Sequence, residues 1–170
     1  MQIILKITLL LLLLAVGYQD LKERKVFLWV LITLGGVLGY LHFKEVGRNQ
    51  FLIYISINIL IVFFIILIVS IYSKYKLRKE LRQSIGYGDL LFFFIIAIGF
   101  PNFTFLILFI FSIFFTGIAF FLVKIINKKY GYEILTTANP LVPLAGFQAL
   151  FIAFVFLVNW SLKIVNLYTL

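Results

Sequence analysis

Two aspartates stand where a carboxylic side chain could do chemistry in this chain of 170 residues, which has six acidic residues in all. Asp20 ends the first apolar run of the sequence, and Asp89 lies near the start of the fourth. Two carboxylates that approach each other cannot both ionise cheaply, so one keeps a proton while the other acts as a base. Such a pair can activate a water molecule and protonate a departing amide nitrogen, which is peptide hydrolysis without a metal ion.

The remaining composition excludes most other enzyme chemistry. The chain has no cysteine, which excludes disulfides, thiol nucleophiles, iron–sulfur clusters and cysteine-ligated zinc. Its single histidine, His42, excludes multi-histidine metal sites and leaves no convincing Ser-His-acid triad. We therefore expect neither a metal ion nor a cofactor.

Glycines precede the second aspartate in the sequence Gly86-Tyr87-Gly88-Asp89. Glycine costs a helix about 1 kcal/mol relative to alanine, so two of them beside an acid suggest that another backbone comes close there. Helix packing through small residues explains a Gly-x-Gly pair equally simply. The acid that follows directly favours the functional interpretation.

Asp20 and the two later prolines each allow two interpretations. Asp20 lies beside the charged residues 22–25 and could be a solvated charge at the membrane interface. Pro140 and Pro143 lack a backbone donor and predict an extended segment. They could shape a substrate-binding loop near the acids, or simply mark the start of a helix.

The elements that must position these residues are membrane helices. The chain is 64% hydrophobic and 12% charged with a mean hydropathy of +1.17, whereas soluble domains are roughly 45–50% apolar and about 25% charged. A spanning helix needs about 20 apolar residues. We expect one all-α integral membrane domain over residues 1–170, with short loops and about six transmembrane helices near residues 3–18, 26–43, 51–72, 81–100, 103–123 and 141–165.

Two of these runs need separate arguments. The uninterrupted apolar part of the fourth run, residues 90–100, is too short to cross about 30 Å, so we expect its helix to start near Leu81. Pro101-Asn102 predicts a turn before the fifth helix. The first run resembles a signal peptide in length, but the basic cluster that follows it is typical of the cytoplasmic end of a span.

The basic residues predict the orientation. Eleven of the fifteen Lys and Arg residues fall in the first, third and fifth loops. By the positive-inside rule these loops are cytoplasmic, both termini lie outside, and Asp20 and Asp89 share the cytoplasmic face. The net charge of +9 then reflects topology and contact with anionic membrane lipid, and we expect no nucleic-acid partner. His42, near the outer end of the second run, is expected to be interfacial.

Together these residues resemble the type IV prepilin peptidase family, membrane aspartyl proteases of the GxGD class. Residues 86–89 match the class motif. Residues 20–26 resemble the family's first-aspartate segment, an Asp followed by basic residues and an aliphatic one. Residues 139–144 resemble its later Pro-x-x-Pro stretch. The three matches occur in the family's order and cover nearly the whole chain.

The resemblance implies that Asp20 and Asp89 are a catalytic pair, with Gly86, Gly88 and the two prolines shaping the approach to it. The implied substrates and partners are prepilin-like or pseudopilin precursors, cut after a basic leader on the cytoplasmic side of a prokaryotic cell membrane. The chain resembles a minimal form without the zinc-binding and methylating domain of larger relatives. Phe27-Leu28 replaces the family's Pro-Asn, and Leu91 replaces its lysine, which bears on substrate preference more than on chemistry.

Three alternatives remain open. A non-catalytic membrane scaffold would tolerate loss of both acids. A small proton- or ion-coupled carrier would need Asp89 and not Asp20. A protease of the presenilin or signal-peptide-peptidase type shares GxGD, but it places its other acid in a Tyr-Asp pair on the preceding span, whereas here it lies on the first span in Tyr18-Gln19-Asp20.

Overall fold

A computed structural model describes residues 2–78, 85–130, 142–162 and 167–168. Within these ranges the secondary structure is helical and contains no strand, which confirms the all-α prediction. A π-helical turn, Ser73–Leu77, continues the third helix. The described residues form six α-helices: α1 (Gln2–Glu23), α2 (Leu28–Val46), α3 (Arg48–Tyr72), α4 (Tyr87–Gly99), α5 (Asn102–Tyr130) and α6 (Leu144–Leu162).

Several of these helices are suited to a bilayer. Four segments of the described chain are long and apolar enough to cross a membrane: Ile3–Glu23, Arg48–Lys76, Asn102–Asn127 and Leu144–Leu162. The shortest of them has 19 residues and is about 28 Å long, close to the thickness of the hydrocarbon layer. The helices indicate a membrane-embedded protein.

The short helix α4 lies in the middle of the bundle. It contacts α2, α3, α5 and α6, while α1 packs along α6 and α2. Phe92 and Ile96 of α4 are fully buried, as are Leu13 of α1 and Phe156 of α6. Since lipid is as apolar as these side chains, close packing rather than escape from water holds such helices together.

The start of α4 differs from the prediction. The helix begins at Tyr87 rather than near Leu81, because Gly86 has an extended backbone and its N–H donates to the Asp89 carboxylate at 3.2 Å. That bond caps the first turn, and glycine gives little support to a longer helix. Gly86 therefore precedes the helix, while Gly88 and Asp89 occupy its first turn.

The far end of α4 explains how so short a helix is accommodated. With 13 residues it is about 20 Å long, so its last carbonyls lie among apolar side chains. Asn58 Nδ2 donates to Ala97 O at 2.9 Å and to Phe100 O at 2.8 Å, and His42 Nδ1 bonds Ile98 O at 2.8 Å. Polar side chains of α2 and α3 thus replace the water that a helix end normally needs.

The predicted interfacial position of His42 is wrong. Its side chain is fully buried, and its ring stacks between Tyr54 and Tyr168 at centroid distances of 5.9 and 6.0 Å. A carbonyl oxygen can only accept, so the bond to Ile98 O places a hydrogen on Nδ1. The helical phase of α2 turns His42 toward α4, although Lys44, two residues on, is exposed.

The turn between the fourth and fifth helices confirms that residues 90–123 are not one helix. Pro101 lies between α4 and α5, and its carbonyl accepts the N–H of Phe105 at 2.8 Å. Proline has no N–H to continue the preceding helix. At its other end α5 reaches Tyr130, several residues beyond the predicted boundary.

Candidate active site

Asp20 lies in the last turn of α1 with its side chain only 7% exposed. Its Oδ2 accepts the backbone N–H of Gly146 at 2.7 Å. A buried carboxylate with a short hydrogen bond from another helix is not a solvated interfacial charge. The structure therefore places Asp20 inside the protein, at the junction of α1 and α6.

Asp89 occupies the first turn of α4 and is 6% exposed. Its Oδ1 accepts the N–H of Ala145 at 2.7 Å, and its Oδ2 accepts the N–H of Gly86 at 3.2 Å. Both oxygens of this carboxylate are thus held by main-chain donors. The side chain is fixed between its own helix and the start of α6.

The N-terminus of α6 joins the two acids. Ala145 and Gly146 are the second and third residues of the helix, where backbone N–H groups have no partner within the helix itself. Each N–H donates to one aspartate, and the positive end of the helix dipole favours the negative charge there. Asp20 and Asp89 are therefore attached to consecutive amides of one helix.

Pro143 stands immediately before this helix and is buried. Its carbonyl accepts the N–H of Phe147 at 3.3 Å, closing the first turn, and the N–H groups of Ala145 and Gly146 remain for the acids. Proline is well suited to this place because its fixed φ matches a helix start. The structure confirms Pro143 as the start of a helix, and this helix is the one that holds the acids. Pro140 lies outside the described residues.

Glycines allow the carboxylates to lie this close to the backbone that binds them. A Cβ at Gly146 would lie 3.0 Å from Asp20 Oδ2 and 3.1 Å from its Cβ, and a Cβ at Gly86 would lie 3.2 Å from Asp89 Oδ2. A Cβ at Gly88 would make only an ordinary contact of 3.9 Å with Val26. The predicted close approach of another backbone to this glycine pair is therefore wrong for the described residues, because the atoms nearest to both glycines belong to side chains. Gly146 was not predicted, and a glycine three residues after Pro143 is the sequence signal for it.

A cavity of about 310 Å³ opens beside the two carboxylates. One water molecule takes up about 30 Å³ of liquid, so the cavity has room for a water and for a short piece of extended peptide. Two of its lining side chains, Lys25 and Tyr87, are exposed, so the cavity reaches the protein surface. It is lined by Asp20, Arg24, Lys25, Val26, Gly86, Tyr87, Gly88, Asp89 and Val142.

Arg24 brings a positive charge into this cavity. It follows the end of α1 with φ of +55°, and its N–H donates to the carbonyl of Asp20 at 3.2 Å. Burial lowers the pKa of the Arg24 guanidinium, and the carboxylates of Asp20 and Asp89 partly restore it. Arginine side chains are not deprotonated in proteins, so Arg24 carries a positive charge. The sequence showed Arg24 only as one member of a basic cluster.

The structure thus brings Asp20, Asp89, Gly86, Gly88 and Pro143 to one place. Within the described part of the chain no three His, Asp or Glu side chains come together as a candidate metal site. Comparison with known protein families, with curated proteins and with solved structures finds no match to this chain. What the site can do is therefore inferred from its own residues.

Proposed function

We propose that this protein is a membrane aspartyl endopeptidase that resembles the prepilin peptidases. Its substrates would be type IV prepilin-like or pseudopilin precursors, cleaved after their basic leader at the cytoplasmic face of a prokaryotic cell membrane. The observation that carries the proposal is the attachment of Asp20 and Asp89 to consecutive amides beside one cavity.

The proposed reaction is hydrolysis of an amide by a carboxylate pair. One carboxylate is ionised and takes a proton from water, whose oxygen bonds to the carbonyl carbon while the π electrons move to the carbonyl oxygen. The C=O bond then re-forms, the C–N bond breaks, and the protonated carboxylate gives its proton to the leaving nitrogen. Water and amide become acid and amine, and the two carboxylates have exchanged roles.

The hydrogen bonds of the pair leave room for that water. Both oxygens of Asp89 accept backbone N–H groups, whereas Asp20 Oδ1 accepts none from the described residues. The acids can therefore remain fixed while one oxygen of Asp20 holds a water molecule. Fixed donors and a fixed pair reduce the reorganisation needed at the moment of reaction.

The position of the pair suits a substrate with a membrane helix. Asp20 lies at the end of α1 and Asp89 at the start of α4, so the cavity is level with the helix ends. A precursor whose apolar segment lies in the bilayer would present the junction before that segment at this level. The polar leader would stay outside the hydrocarbon layer.

Cleavage of a synthetic prepilin-like precursor by the purified protein in proteoliposomes tests the proposal, with the product identified by mass. We expect a cut between leader and apolar segment for the wild type and more than a hundredfold loss for Asp20→Asn and for Asp89→Asn. Asparagine keeps one oxygen, which can accept the N–H of Gly146 at position 20 and the N–H of Ala145 at position 89. Only the longer bond from the Gly86 N–H to position 89 is lost, so both variants should fold. Glu23→Gln removes an exposed acid from the same end of α1 and should cleave normally.

Other results would favour the alternatives. A wild type that is folded and inserted but cleaves no precursor would rule out the proposed peptidase and favour a scaffold. Cleavage that survives Asp20→Asn but not Asp89→Asn would contradict the carboxylate pair. A carrier that uses Asp89 alone gains no support from a geometry in which Asp20 is buried and bonded in the same way.

A further inference from the structure

Arg24 adopts a backbone conformation that its side chain does not favour. Its φ of +55° lies in the left-handed region, just past the end of α1, where helices commonly place a glycine. For a residue with a Cβ this conformation costs roughly 1–2 kcal/mol. Such strain is often found where a side chain is held for function, and it directs attention to what this arginine does.

The side chain of Arg24 is close to both carboxylates yet bound to neither. It lines the cavity together with Asp20 and Asp89. Its Nε is buried and has no hydrogen-bond partner among the described residues. The carboxylates are held instead by backbone N–H groups of Ala145, Gly146 and Gly86. A cation that neither carboxylate holds therefore lines the cavity.

The proposed hydrolysis has a need that the two acids do not meet. When water adds to the carbonyl carbon, negative charge develops on the carbonyl oxygen. Both acids are then engaged, one having taken a proton from water and the other holding the proton for the nitrogen. Groups that donate hydrogen bonds to such an oxygen are among the strongest contributors to catalysis.

We propose that Arg24 is a catalytic residue that binds the carbonyl oxygen of the cleaved peptide bond and stabilises the negative charge that develops on it. This inference rests on the proposed peptidase function. Arg24 transfers no proton, and its guanidinium N–H groups donate hydrogen bonds only. The bonds made and broken are those of the hydrolysis described above.

Arg24→Gly tests the proposal without disturbing the fold. Glycine adopts a φ of +55° without strain, so the variant should be at least as stable as the wild type. We expect its kcat to fall about 10²- to 10³-fold, as when one oxyanion donor is removed from other proteases, with little change in KM. Methylguanidine added at millimolar concentration should restore part of kcat, and Arg24→Lys should fall between the two.

Lys22→Gln is the matched control. It removes one positive charge from the same end of α1, and Lys22 is exposed with its Nζ bonded to the Tyr18 hydroxyl, away from the cavity. Its kcat should stay within about twofold of the wild type, as expected for a surface charge. Methylammonium chloride replaces methylguanidine in a parallel assay, and it should restore nothing to Arg24→Gly.

Several results would overturn the role of Arg24. An Arg24→Gly variant with wild-type kcat would do so. A loss of kcat that is restored by a change of pH, and not by methylguanidine, would also do so, because Arg24 would then act through the protonation of the acids. Both require a wild type that cleaves. A wild type without cleavage would overturn the peptidase function itself, and the role of Arg24 with it.

Discussion

Main-chain donors hold both acids of the site. Backbone N–H groups cannot rotate away or change charge, so the positions of Asp20 and Asp89 depend on where α6 begins. The same dependence makes Gly146 important, since a Cβ at this position would crowd the Asp20 carboxylate that its N–H binds. At this scale the acids are positioned by three backbone amides and by the space left by a glycine.

Gly146→Ala should therefore impair cleavage while leaving the fold intact. The new methyl group would lie 3.0 Å from Asp20 Oδ2, inside normal contact distance, and would push the carboxylate away from its donor. The carboxylate must move by a few tenths of an ångström, and because a shift of about 1 Å in a reacting group can lower a rate about a hundredfold, we expect a loss of up to about tenfold in kcat. Steady-state cleavage and thermal unfolding in detergent measure both effects.

Gly117→Ala is the control for that variant. A Cβ at Gly117 of α5 would meet nothing within 4 Å, so the change adds a methyl group to a helix without touching the site. Its kcat should equal that of the wild type. Equal activity of Gly146→Ala and Gly117→Ala would show that catalysis does not need the hydrogen bond from the Gly146 N–H of α6 to Asp20.

The individual acids were visible in the sequence, but their donors were not. Asp20 and Asp89 stand out because charged residues are rare in apolar runs. Gly146 and Ala145 look like ordinary small residues of a membrane helix, and their role depends on backbone groups that every residue has. Arg24 was hidden for another reason, since its left-handed φ and its place in the cavity are properties of the fold.

At the scale of the helices, the apolar runs predicted the order of the six α-helices that the described residues form. The start of α4 was predicted wrongly, because the prediction required the fourth helix to be long enough to cross the whole bilayer. Surrounded by four other helices, α4 does not need that length. His42 and Asn58, which satisfy its last carbonyls, could not be identified without knowing which helix they face.

Asn58→Leu should destabilise the protein through the end of α4. The asparagine is fully buried and donates to Ala97 O and Phe100 O, while leucine fills a similar volume without a donor. Each buried carbonyl left without a donor costs about 1–3 kcal/mol, so we expect a loss of at least about 2 kcal/mol. Chemical unfolding in detergent measures it.

Ser56→Ala provides the comparison on the same helix. Ser56 is exposed and donates only to Leu52 O in its own helix, so its replacement should change the unfolding free energy by less than about 0.5 kcal/mol. If Asn58→Leu proved as stable as Ser56→Ala, the carbonyls at the end of α4 would not depend on this side chain.

The whole molecule has a predicted orientation that determines which compartment the cavity faces. The two ends of α3 report on it, because Gln50 near its start and Tyr75 just beyond its end are both exposed. Arg48–Tyr72 is about 37 Å long, so these residues belong to opposite faces of a bilayer. The chain has no cysteine, so each position can be labelled alone after substitution.

Gln50→Cys should react with a membrane-impermeant maleimide in intact cells, whereas Tyr75→Cys should react only after the membrane is opened. The expectation follows from the excess of Lys and Arg in the loops on the Tyr75 side. Neither substitution changes a charge, so neither alters the bias that sets the orientation. The reverse pattern would place Asp20 and Asp89 on the outer face, and cleavage of a leader on the cytoplasmic side would then be excluded whatever the chemistry of the pair.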